Sequence, residues 1–212
     1  MLWLEASGHL VLFECKFTEP GGGACSQPRP LSAGKYRGVR QCTGSYTSQR
    51  NPANGVTEAC ALSGKGIKYW EWVPAVLGYE ADRVYSPCPF AGPDFQWMRN
   101  LVAAVAMAED ERRRPFFVLV HAGAPGSKSF PVAAEVASPR WREFVERSHR
   151  GLVGVRSASF SMLIEQATQA ANGHDQETIR ALRTWIEAKE VAAADRLSYG
   201  SHGGYANPRG PR

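Results

Sequence analysis

No apolar run in the chain approaches the ~20 residues that span a bilayer. The first residues, Met1-Leu2-Trp3-Leu4-Glu5, carry neither the basic segment nor the apolar stretch of a secretory signal. Neither membrane insertion nor export is expected, and a reducing cytoplasm is the expected compartment. Cysteine is sparse: five residues, an odd number with no CxxC pair, make a disulfide framework a poor reading. No phosphate loop, dinucleotide fingerprint, HExxH or GxSxG occurs, which argues against NTPase, dehydrogenase, zincin and serine-hydrolase chemistry. Acidic residues are outnumbered, 20 Asp and Glu against 25 Lys and Arg, and the net charge is +5. Most of the cations are Arg, which favours planar recognition of phosphate or carboxylate over generic solubilising charge.

What is present is the material of a globular domain. The 212 residues are 43% apolar and 21% charged, enough for one domain with a full core plus a loose tail. Residues 1–194 are expected to form that domain, and the Gly- and Pro-rich segment 195–212 a disordered tail.

The chain as given is expected to begin in its first strand, with no lead-in. Met1 to Glu5 and His9 to Phe17 read as a hairpin joined by Ser7-Gly8, and the second strand is apolar on both faces until Glu14. Pro20 to Gly34 is loop, and Lys35 to Arg50 is expected as a helix despite Gly38 and Gly44. Asp94 is an N-cap for a helix to about Glu111. Pro115 to His121 is a second buried strand, and Phe130 to Val136 reads as another. Ser138 caps a further helix, Gly151 to Ser157 is strand-like, and helices follow over Ser159–Asn172 and Glu177–Ala194. Strands alternating with helices predict an α/β sheet with helices on its faces.

Charge is unevenly placed. Between Lys16 and Lys68 there are eight Lys and Arg against Glu19 and Glu58, with Tyr36, Tyr46, Tyr69 and Trp70 interleaved. Basic residues among aromatics suit a polyanion with stackable bases, and a solvated basic face is the plainer reading of the same charges.

Glu14-Cys15-Lys16 sets a carboxylate and an ammonium on one face of a strand, about 6–7 Å apart along the chain. A carboxylate there can ligate Mg²⁺ or Mn²⁺. An adjacent ammonium can orient water or stabilise a phosphorus centre under attack. The same spacing recurs at Glu187-Ala188-Lys189, where on a helix it is surface charge. What distinguishes the first is its place at the end of an apolar strand after a hairpin. Cys15, between the pair, is expected on the opposite, buried face.

Leu10 to Glu19, the loop with Cys25-Ser26-Gln27, Arg40-Gln41-Cys42 to Tyr46, and Cys88-Pro89-Phe90-Ala91-Gly92-Pro93 to Trp97-Met98-Arg99-Asn100 resemble the PD-(D/E)XK nuclease superfamily. The branch is that of bacterial restriction-endonuclease-like proteins of unassigned function, and the likeness covers roughly residues 1–160. It implies a restriction-endonuclease-like central mixed sheet flanked by helices, acting on DNA as a Mg²⁺- or Mn²⁺-dependent endonuclease or exonuclease. It also implies Glu14 as metal ligand, Lys16 as catalytic lysine and Gln41, on the following helix, as an auxiliary. Tyr36, Arg37 and Arg40 would contact nucleic acid.

The resemblance requires a second acid on the strand facing Glu14. Counting outward from Ser7-Gly8 sets Glu5 against Leu10, Trp3 against Leu12 and Met1 against Glu14. No acid stands at Met1, and Glu5 is about 13 Å away along the strand. The expected form is therefore an N-terminally shortened nuclease fold with its first elements missing, open to being inactive as given. A non-catalytic nucleic-acid-binding or interaction protein that keeps the fold is the alternative. Glu19 is a further acid within reach of the turn, or a solvated loop residue.

Cys25, Cys42, Cys60 and Cys88 leave two readings open, buried structural thiols or a four-Cys zinc or iron–sulfur site of the kind some nucleases of this superfamily carry. His121, ending a buried strand, is either a functional strand-end group or a hydrogen-bonded structural residue.

Overall fold

The computed structural model describes residues 2–4, 8–19, 21–35, 37–46, 50–51, 56–57, 60–80, 82–124, 126–148, 153–173 and 175–200. The strands are β1 (Leu2–Leu4), β2 (His9–Lys16), β3 (Arg50–Asn51), β4 (Val56–Thr57), β5 (Arg114–His121) and β6 (Gly154–Ser159). The helices are α1 (Tyr69–Leu77), α2 (Phe95–Asp110), α3 (Pro131–Val136), α4 (Pro139–Ser148), α5 (Phe160–Ala170) and α6 (Gln176–Gly200). Among the described residues no helix is long and apolar enough to cross a membrane.

The protein is α/β, with a mixed four-stranded sheet in the order β1-β2-β5-β6. β1 is antiparallel to β2. β2 and β5 run parallel: the Arg114 N–H donates to the Gly8 carbonyl at 3.1 Å near one end, and the Ala122 N–H to the Lys16 carbonyl at 3.1 Å near the other. β3 and β4 form a separate two-stranded ribbon.

The hairpin register differs from the expected one. Leu4 pairs with His9, Trp3 with Leu10 and Leu2 with Val11, because four residues, not two, connect the pairs. Gly8, at φ +65°, supplies the left-handed turn that closes the connection. Every partner moves by two, so the paired residues of β1 face His9, Leu10 and Val11 and none faces Glu14. Met1 and Glu5 lie outside the described residues.

The chain divides into two compact units, one of Met1–Glu14, Gly21–Val118 and Arg142–Arg156, the other of Cys15–Pro20, Leu119–Trp141 and Ser157–Arg212. In the first, α1 and α2 pack together, Leu10 sits against Ala104 and Ala108 of α2, and the Trp97 ring lies 5.6 Å from Phe144. In the second, Ala122, Phe130, Ala133 and Ala193 form the core with Phe17 and Phe160 against them.

Three elements depart from expectation. Over the expected helix Lys35–Arg50, the described residues 35 and 37–46 form turns, bends and isolated bridges and Arg50 begins β3, because Gly34, Gly38 and Gly44 all take left-handed φ near +82° to +84°. Phe130 to Val136 gives helix α3 rather than a strand, started by Pro131 at its first turn, where a missing N–H costs nothing. α6 continues to Gly200, past its expected end at Ala194. The remaining calls on the tail fall on residues 201–212, outside the described residues.

Two caps behave differently. Ser159 caps α5, its Oγ accepting the Met162 N–H at 3.2 Å. Asp94 occupies the N-cap position of α2 without a side-chain cap bond. The Phe95 and Gln96 N–H groups donate instead to the carbonyls of Gly23 and Gly22, which satisfies orphan donors of the first turn.

Candidate functional site

In the first unit, Glu14 is half-buried near the end of β2. Its Oε2 accepts a hydrogen bond from Nδ2 of Asn100 at 2.7 Å. Asn100 lies on the second turn of α2, whose N-terminus is anchored to the Gly22-Gly23 loop that follows β2 in the chain. The glycine at position 22 has a steric reason: a Cβ there would meet the Pro93 carbonyl oxygen at 2.5 Å and the Trp97 ring at 2.7 Å. A neutral amide donor fixes the direction of a carboxylate while leaving its charge intact, as outer partners of metal-binding carboxylates do. Asn100 carries no site signal in the sequence because it stands 86 positions from Glu14. It does fall at the end of the segment that carries the family resemblance.

Cys15 is exposed, contrary to the expected buried face. β2 is only half-covered at this end, with Phe13, Glu14 and Lys16 all of intermediate exposure, so no buried face exists there to receive it.

Gln41 is not on a helix. It is buried at 6% exposure within an irregular loop, its N–H donating to the Gln27 carbonyl at 3.2 Å. That loop includes a hairpin-like excursion closed by the Pro30–Arg40 bridge and by the Leu31 N–H on the Val39 carbonyl at 3.0 Å. Arg29, Lys35, Arg37 and Arg40 are exposed on it, and among these residues there is no acid. Tyr36 lies outside the described residues.

In the second unit, Lys16 ends β2 beside the end of β5, to which its carbonyl is bonded through Ala122. The C-terminal ends of adjacent parallel strands are where open α/β sheets place their ligands. Glu19 belongs to the turn that follows: its Oε2 accepts the N–H groups of Phe17 at 2.8 Å and Thr18 at 3.2 Å. These backbone donors, its own included, and the nearby Lys16 ammonium hold its carboxyl below the usual carboxylate range. Glu19 is thus committed to its own turn. A groove of about 360 Å³ adjoins it, lined by Phe17 and Thr18 and, from α6, by Lys189, Ala192, Ala193, Arg196 and Leu197. His121 is buried at the end of β5, with Nδ1 3.2 Å from the Ala122 carbonyl and no hydrogen-bond partner at Nε2.

Among the described residues no three His, Cys, Asp or Glu side chains lie close enough to hold a single metal ion. One carboxylate, Glu14, is available where the sequence expects Mg²⁺, and no second acid is shown on it. The ion accepts one or two protein carboxylates if waters and substrate phosphates fill the remaining positions. Among the described residues no second carboxylate completes such a site.

Compared with family models, with curated proteins and with solved structures, the chain matches none.

Proposed function

We propose that the protein is a restriction-endonuclease-like nuclease that hydrolyses DNA phosphodiester bonds with Mg²⁺ or Mn²⁺. The observation that carries this reading is the Glu14 carboxylate, held in a fixed direction by Asn100 near the end of β2, two residues before Lys16 on the same strand. A mixed sheet in which a hairpin strand continues beside a parallel neighbour supports it.

In this reading Glu14 presents a directed anionic oxygen, and Asn100 prevents the carboxylate from rotating away. Lys16 contributes a positive charge where the phosphorus centre gains negative charge under attack. Arg37 and Arg40 anchor the backbone of the DNA through phosphate contacts. A divalent ion, when bound with substrate, supplies further stabilisation of phosphate charge and a more acidic water.

The single carboxylate favours a second reading, a protein that binds nucleic acid without cutting it. Incubating labelled duplex and single-stranded DNA with the full chain, in Mg²⁺, in Mn²⁺ and in EDTA, separates the two. Cleavage abolished by EDTA supports the nuclease. Salt-sensitive retention of intact DNA supports the binding protein, and neither cleavage nor retention overturns both.

A further inference from the structure

α6 is 25 residues long, and among its described side chains only Ile186 and Ala193 are buried. A helix that packs so little against its own unit keeps most of its surface outward. Thr178, Leu182, Trp185, Lys189, Ala192 and Arg196 recur along it at alternating spacings of four and three, so they form one row. All six are exposed, Leu182 at 47% and Trp185 at 55%.

The charge of α6 is sorted by face. The helix carries four cations, Arg180, Arg183, Lys189 and Arg196, against four acids, Glu177, Glu187, Glu190 and Asp195. The row holds two of the cations and none of the acids, which lie more than about a quarter-turn from its centre line. Glu187 and Glu190 line a different cleft, towards α5, and Glu190 accepts the Gly123 N–H at 2.9 Å. Arg183 lines that cleft too and donates to Thr168 Oγ1 at 3.2 Å.

The C-terminal half of the row is one wall of the groove of about 360 Å³: Lys189, Ala192 and Arg196 stand on one side, Phe17 and Thr18 on the other. Ala192, being small, leaves space between the two cations. The acid beside that far wall, Glu19, spends its carboxylate on the N–H groups of Phe17 and Thr18. One turn back along the row the Lys189 ammonium stands 5.6 Å from the centre of the Trp185 ring, a cation–π contact that joins aromatic surface to charge.

We propose that this groove and the outer row of α6 hold single-stranded DNA, with backbone phosphates on Lys189 and Arg196 and a base stacked on Trp185. Spaced cations beside an exposed aromatic ring suit a strand whose bases are free to stack. A duplex keeps its bases stacked within and offers the ring nothing. An anionic bilayer also suits a helix face of Trp, Lys and Arg, but it is flat and leaves the groove beside Phe17 and Thr18 unused. Phe17 directly follows Lys16, so a strand in the groove passes beside the end of β2. The inference rests on the proposed function for its partner and deepens it by naming the form of the DNA.

The test measures binding of the full chain, in EDTA, to labelled oligothymidylate, to labelled duplex and to phosphatidylglycerol vesicles at several salt concentrations. Oligothymidylate should bind more tightly than either of the others. Trp185→Ala should weaken it about 5- to 150-fold. Lys189→Ala with Arg196→Ala should lower the log–log salt slope by up to about 1.4, while Arg180→Ala, an exposed cation on another face, leaves it unchanged. Every substituted residue is exposed, so the variants should keep the helix content of the wild type by circular dichroism. Equal oligothymidylate affinity in wild type and Trp185→Ala, or tighter binding to vesicles or duplex, would overturn the groove. Loss of cleavage in Mg²⁺ with Trp185-dependent binding intact counts against the nuclease reading alone, and cleavage with Trp185-independent binding counts against the groove alone.

Discussion

Asn100 donates its side-chain amide to the Glu14 carboxylate at 2.7 Å, across 86 positions of sequence. The bond links the end of the hairpin strand to α2, and makes Asn100 a positioning residue in the proposed chemistry. Asn100→Ala should leave the fold intact and raise the Mg²⁺ concentration needed for half-maximal cleavage about 10- to 100-fold, the range found for outer partners of metal ligands. Asn100→Asp should be worse, because it sets two like charges together. Cleavage rate against Mg²⁺ concentration checks both, and an unchanged midpoint in Asn100→Ala removes the positioning role.

Arg37 and Arg40 stand exposed on the basic excursion between Pro30 and Arg40. Each phosphate contact steepens the salt dependence of duplex binding by about 0.9 in log–log slope. The double Ala variant should weaken binding to all sequences alike and reduce the slope by up to about 2. Fluorescence anisotropy at several salt concentrations reads this directly.

Burial pushes the Cys25 and Cys42 thiols above their ordinary range and the Cys88 thiol up to about 11. These groups hold their protons at neutral pH, and a thiol reagent should modify exposed Cys15 first and Cys88 last. For a group whose folded pKa is raised, the unfolded chain loses its proton first as pH climbs, so stability is full below the unfolded value of 9.0 and falls on the way to about 11. Denaturation of the chain between pH 8 and pH 11 should show this decline, and Cys88→Ala should flatten it.

Gly22 has no room for a side chain, with the Pro93 oxygen and the Trp97 ring in the way. Gly22→Ala should lower stability by ~1–3 kcal/mol, whereas Gly173→Ala, with nothing within 4 Å, should be close to neutral. Urea midpoints of the two variants make the comparison.

The elements legible in the sequence were those written in apolar periodicity. β2, β5, α2 and α5 fall where their spacing put them, because each buries a face that only one period can supply. In Lys35–Arg50 the apolar spacing suits a helix, and Gly38 and Gly44, at left-handed φ, decide the backbone instead. Phe130–Val136 has the apolar content of a strand, and Pro131 at its start sets it as a helix. For Glu14 and Lys16 the sequence shows their place near the end of β2, not a role. The bond from Asn100 to Glu14 and the meeting of Cys25, Cys42, Cys60 and Cys88 at one cavity are not legible there, since both depend on how distant segments come together, and spacings of 17, 18 and 28 residues carry no local signature.

The nuclease reading stands or falls on Lys16, which ends β2 beside the end of β5. The decisive measurement is single-turnover cleavage of DNA in Mg²⁺ or Mn²⁺ by the wild-type chain and by Lys16→Ala, with binding of both measured in EDTA. The expected result is a rate at least about 100-fold lower in the variant with binding little changed, since a charge placed on the transition state counts more in the chemical step than in the ground state. Equal cleavage rates in the two proteins would contradict the account.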